Sequence, residues 1–260
     1  YDWVRDIFGA EWGDHDVSSL IPDSGRIAIL FLDIDDDDAT EHGVLGYFHS
    51  RDTQIGNSAS NEQVMFYMDS VLYSTKDDGA AVWSVDQELP SEILATLAHE
   101  LQHVVQYYQK TVLRGVTSRT WLNEMASLAA EDLISDRLGV AGPRGVEPGI
   151  GAPGNPGNTA GGLPLYAREM TDSLTGWTYD DATIRRNYAS TYAFGAFLGR
   201  NYGGSPLFGN IVRSPGGDYE AVVEAVRKRG GDVSPYDAEV AFRQLLVNWG
   251  VATVISDLVS

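Results

Sequence analysis

The chain contains no cysteine. Disulfides, thiolate metal sites and cysteine nucleophiles are therefore excluded together, and any metal must be held by His, Asp or Glu. Lysine is scarce as well: Lys76, Lys110 and Lys228 are the only ones among 18 basic residues, against 37 acidic residues and a net charge of -19. Such a surface repels phosphate backbones and anionic lipid, which argues against nucleic-acid and membrane partners. Apolar runs such as Ile27–Leu32 fall far short of the about 20 residues that span a bilayer. No charged-then-apolar signal segment opens the chain at Tyr1, which leaves a cytoplasmic protein or an already processed mature form; the acidic, Lys-poor composition is compatible with an extracellular setting, and a secreted monomer of prokaryotic type is the expectation. A repeat of about 20–50 residues is also missing, which excludes solenoids and propellers.

What remains is ordinary globular material: 260 residues, 43% hydrophobic and 21% charged, enough to bury a substantial core. The first part of the chain reads as strands and loops. Arg26–Asp33, Gly43–His49 and Gln63–Asp69 are β-rich runs that fit a small mixed sheet. From Pro90 the period turns helical, with Ser91 as a natural N-cap and Ile93, Leu97, Leu101, Val104, Val105 and Tyr108 at helical spacing. Further helices are expected over about 121–138, stopped by Gly139, and over about 186–202, 217–229 and 235–249. Between them, 139–164 holds nine of the 28 Gly and five of the 10 Pro and reads as a long surface loop. Strands first and helices second predict an α+β fold in one domain, with a sheet-plus-helix part over 1–110 and a helical part over 111–260.

The first strong helix carries His99-Glu100-Leu101-Gln102-His103. Imidazoles at i and i+4 lie one above the other on one helix face, close enough to share an ion. With five His in the chain, roughly 0.005 copies of His-Glu-x-x-His are expected by chance, so an accidental pair of solvated histidines is a poor account. Zn²⁺ suits such nitrogens, and a catalytic zinc takes three protein ligands with one position open. Glu100, beside the first imidazole, is placed to act on a water as a base. Glu124 on the next helix is the leading third ligand, 21 residues beyond His103. Its rivals are Glu131, seven residues on and near the same face, and Asp132; for both, a solvated carboxylate is the favoured reading.

These stretches resemble the gluzincin branch of zinc metallopeptidases, the thermolysin-like group. The fuller wording is similar to the hyicolysin family of neutral metallopeptidases. The matching segments are Ser60-Asn61-Glu62, Leu97-Ala98-His99-Glu100-Leu101-Gln102-His103, Trp121-Leu122-Asn123-Glu124 and Tyr192-Ala193-Phe194-Gly195. The resemblance implies a zincin-like fold, one catalytic Zn²⁺ on His99, His103 and Glu124, Glu100 as base, and endopeptidase action on peptide or protein substrates. Hydrolysis of another amide or acyl compound, and a silent zinc-containing binding protein, are the alternatives. One position departs from the pattern: the Asp that follows the ligand Glu by four residues is Leu128 here. Asp132 or a main-chain carbonyl then remains to orient the first imidazole. The metzincin pattern is excluded, because Gln106 and Gln109 stand at its Gly and third His positions.

An oxyanion donor from the helical half must be a tyrosine, since His15, His42 and His49 all precede it. Tyr188 and Tyr192 lie one turn apart, and the Tyr-x-x-Gly setting of Tyr192 with Gly195 resembles gluzincin aminopeptidases, so Tyr192 is the expected donor. Asp33–Asp38 raises the possibility of Ca²⁺, but Asp38 and Val44 stand where the EF-hand loop has Gly and Glu. A solvated turn is the better reading.

Overall fold

A computed structural model describes residues 1–34, 44–70, 88–139, 142–144, 162–169 and 173–258. The expected Asp33–Asp38 turn lies outside these beyond Ile34, as do His42 and most of the 139–164 stretch. Three strands form a mixed sheet of order β1-β3-β2: β1 (Ala28–Leu32) runs parallel to β3 (Met65–Asp69), and β2 (Gly46–Phe48) runs antiparallel to it. All five β3 residues are buried, as befits the central strand. Phe66 and Met68 face the main core, whereas Met65 and Tyr67 face the opposite side with Ile34. All three strands are shorter than the apolar runs that predict them.

Eight α-helices lie among the described residues: α1 (Asp2–Phe8), α2 (Glu88–Gln106), α3 (Thr120–Leu138), α4 (Gly162–Glu169), α5 (Asp181–Asn201), α6 (Ser205–Val212), α7 (Tyr219–Lys228) and α8 (Ala238–Leu258). The α+β expectation holds at this level. Helix α1 is a correction to an all-strand beginning: Val4 and Phe8, at i and i+4, are buried in the main core. Helix α2 begins before Ser91, which stands inside it. Pro90 falls at the third helical residue, where the missing N–H has no helical partner to lose.

Helix α2 packs against β2 and β3 on one side and α3 on the other; α3 packs in turn against α5. Burial of Leu122, Met125, Ala126, Ser127, Leu128, Ala129 and Ala130 nearly all round α3 is what a helix sandwiched between two others requires. Gly195 of α5 makes the second contact close, since a Cβ there would stand 3.0 Å from Met125 Cγ. Gly139 ends α3 in the left-handed conformation, φ 70° and ψ 33°, where glycine has no Cβ penalty.

After Gln106 the helix widens into a π-helical turn, Tyr107–Val112. This turn ties distant segments to the base of α2: Tyr108 Oη donates to Asp14 O at 2.9 Å, Gln109 Nε2 to Ala10 O at 2.8 Å, and Lys110 Nζ to Ser214 O at 2.9 Å and Gly216 O at 2.6 Å. The C-terminal helices are thereby anchored to the helix that carries His99 and His103.

Candidate metal centre

His99 and His103 project from one face of α2 toward α3, with ring centroids 4.8 Å apart. Their inner nitrogens converge on one carboxylate oxygen of α3: Glu124 Oε2 stands 3.3 Å from His99 Nε2 and 3.6 Å from His103 Nε2. Their outer nitrogens are held as well. Glu131 Oε2 lies 3.1 Å from His99 Nδ1, and Ser127 Oγ lies 3.1 Å from His103 Nδ1. The third-ligand expectation for Glu124 thus coincides with the residue facing both inner nitrogens.

Glu131 is a different matter. It is not a solvated carboxylate; it takes the orienting place that Leu128 leaves vacant. Seven residues are two helical turns, so Glu131 follows Glu124 on one face of α3, while Ser127 at i+3 lies between them. Asp132, one residue on, points away and binds Arg144 instead, at 2.6 Å. The i, i+3, i+7 run puts Glu124, Ser127 and Glu131 on one face of α3, but only the packing of α3 on α2 sets which imidazole each one meets.

Electrostatics follow from this packing. Burial opposes a charge on His99, but hydrogen bonds with Glu124 and Glu131 and the charge of Glu100 outweigh it and hold its pKa well above the ordinary value. Burial likewise works against Glu124, yet His103 and His99 keep its carboxyl below the usual range. Glu100 is 4% exposed, and burial raises its pKa against the pull of His103 and His99. Its Oε2 is buried without a hydrogen-bond partner among the described residues. One donor atom from each of His99, Glu100 and His103 lies within 4.8 Å of the others. Gly46 of β2 passes over the same carboxylate, so near that a Cβ would stand 3.0 Å from Glu100 Cγ.

The donor set suits a divalent cation. Two imidazole nitrogens and a carboxylate oxygen meet at one buried point, and each imidazole has a hydrogen-bond partner behind it, Glu131 or Ser127, that holds its orientation. Nitrogen-rich, oxygen-completed sets of this kind favour zinc over calcium. No calcium site is found among the described residues.

The two tyrosines separate. The hydroxyl of Tyr192, the expected oxyanion donor, donates to Asp132 Oδ1 at 2.9 Å, in the cluster built around Arg144. Tyr188, one turn earlier on α5, senses the centre instead. Burial raises its pKa above the ordinary phenol value, and Glu124, Glu100 and Glu131 push the same way. Its ring stands edge-on to Trp177, centroids 5.0 Å apart. The four residues from Tyr188 to Tyr192 rise about 6 Å along the helix, which separates the surroundings of the two hydroxyls. His15 and His49 serve local structure: His15 Nε2 lies 2.9 Å from Ile21 O, and His49 Nδ1 accepts from Arg51 N at 3.1 Å.

Residues 1–144, a stretch that contains the whole donor set, match the peptidase M30 family. Over 254 residues the chain is 26% identical to the neutral metalloprotease ShpI of Staphylococcus hyicus. That match covers 96% of this chain but 49% of the relative, so the chain spans about half the relative's length.

Proposed function

The chain belongs to the peptidase M30 family, and from that premise we propose that it is a zinc-dependent endopeptidase whose ligands are His99, His103 and Glu124 and whose base is Glu100. The observation that carries the reading is the convergence of both Nε2 atoms on Glu124 Oε2, with Glu131 and Ser127 behind the imidazoles. Bound there, zinc would act as a Lewis acid toward the scissile carbonyl and make water more acidic.

The chain's own groups do the rest. Glu100 accepts a proton from the attacking water as the water oxygen bonds to the carbonyl carbon. The same carboxylic acid then passes that proton to the nitrogen as the C–N bond breaks. Its raised pKa suits both halves of this exchange, because a base must hold the proton long enough to return it. Tyr188 is the phenol we assign to the developing oxyanion in place of Tyr192; its raised pKa keeps it a proton donor at any working pH. Among the described residues, strand β2 is an edge of the sheet beside Glu100, and its outer backbone groups would receive an extended peptide. A secreted setting remains part of the proposal, supported by the acidic, Lys-poor composition.

The test is Glu100→Gln, which preserves size and removes the base. Zinc content should match the parent chain, while casein hydrolysis falls by about 10²–10⁴-fold. Parent-level proteolysis by the zinc-loaded variant would refute the assignment.

A further inference from the structure

On the side of α3 away from the metal centre, a cavity of about 190 Å³ opens between α3, α5 and the start of α6. None of the proposed metal ligands lines it. Its walls include Met125, Leu133, Ala196 and Phe208, and its charged groups are Asp132, Arg144 and Arg200. Asp132 is already neutralised: Tyr192 Oη and Arg144 Nε donate to Oδ1 at 2.9 and 2.6 Å, and Arg144 Nη2 reaches Oδ2 at 3.3 Å. The far edge of Arg144 is bound to Asp136, outside the cavity, at 2.7 Å. Arg200 acts on Asp132 through its charge but makes no direct ion pair among the described residues, and it stands on the exposed rim with Ser205, whose helix begins without a side-chain cap.

We infer that this cavity binds a monoanionic carboxylate with an apolar tail, its head on Arg200 and Ser205 and its tail against Met125, Leu133, Ala196 and Phe208. A guanidinium and a hydroxyl are donors only a negative or strongly accepting head would use fully, and the walls behind them favour hydrocarbon. The volume sets the size. An apolar cavity of about 150 Å³ takes benzene, so this one takes a tail of roughly six to eight carbons. A free alkanoate and the carboxyl end of a peptide with an apolar last residue share that chemistry. The inference does not depend on the metal centre.

Calorimetric titration with octanoate and with N-acetyl-leucine tests it, using octanol and acetate as controls. Saturable binding of either carboxylate is expected, with octanol and acetate each at least tenfold weaker; the tighter of the two carboxylates identifies the source. Arg200→Gln should weaken that binding by about tenfold or more, the loss expected for charge-assisted hydrogen bonds. Ala196→Leu should abolish it by filling the space. Arg200 is on the surface, so its variant keeps the test decisive even if Ala196→Leu does not fold. No saturable binding by either carboxylate, equal binding of octanol, or unchanged affinity in Arg200→Gln would overturn the inference. So would binding that survives in folded Ala196→Leu, which would place the carboxylate elsewhere, the metal centre included.

Discussion

Glu131→Ala tests the centre at the point where sequence and structure differ most. The variant removes the carboxylate 3.1 Å behind His99 Nδ1 and leaves every proposed ligand in place. A hydrogen bond between a charged acceptor and an imidazole contributes about 1.5–3 kcal/mol. The Glu131 side chain is 20% exposed, so water replaces part of what is lost and the lower half of that range applies. Zinc affinity should therefore fall by about 10–100-fold, the range found for partners behind metal-bound histidines. Ser127 offers an internal comparison. Its hydroxyl stands behind His103 Nδ1 at the same 3.1 Å but is neutral, so Ser127→Ala should cost about tenfold at most. Glu124→Ala, which deletes a ligand, should exceed both. Competition against a chromophoric chelator measures all three on one scale, with thermal melting of each variant as the folding control. A Glu131→Ala protein that melts like the parent and binds zinc equally well would refute the reasoning.

Tyr188→Phe should lower turnover by about 10²-fold or more with zinc content intact, whereas Tyr192→Phe should leave turnover nearly unchanged and lower stability by about 1 kcal/mol through its bond to Asp132; steady-state kinetics and melting of both variants decide, and the reverse ranking restores Tyr192 as the donor. Gly46→Ala should cut proteolysis without reducing zinc affinity, because its Cβ would meet Tyr67 O at 2.8 Å and Glu100 Cγ at 3.0 Å, forcing β2 or the base to move; unchanged activity would mean that β2 does not constrain the base. Lys110 gives a pH signature. Burial and then Arg114 pull its pKa down to about 8 from an ordinary 10.5, so the unfolded chain binds the more protons between those values. Stability relative to Lys110→Met should consequently be lowest below pH 8 and rise, by on the order of 3 kcal/mol, as pH climbs toward 10.5. Denaturant melts of both proteins across that range check the sign, and the difference cancels the tyrosines, whose raised pKa values act oppositely.

Period and spacing alone determined a good deal. The apolar run over 63–69 read as a strand of a small sheet, and the stripe from Ile93 to Tyr108 read as a helix with one face to bury; the structure puts that strand at the centre and that face against the core. His99 and His103 at i and i+4 share a face in any α-helix, and Glu100 beside them must lie near the same point, because helix geometry is local. Glu124 was legible to a lesser degree, as a carboxylate on the next helix. Which acceptor stands behind each imidazole was not, since that depends on how α3 is rotated and slid against α2, and contacts across a helix pair have no period in the sequence. The rotation favours Glu131 and Ser127 over Asp132, and four residues on α5, about 6 Å, separate Tyr188, whose pKa the centre's carboxylates raise, from Tyr192, which binds Asp132. Helix α1 escaped for the opposite reason: seven residues carry too few turns to show a period, and only the core that receives Val4 and Phe8 makes them a helix.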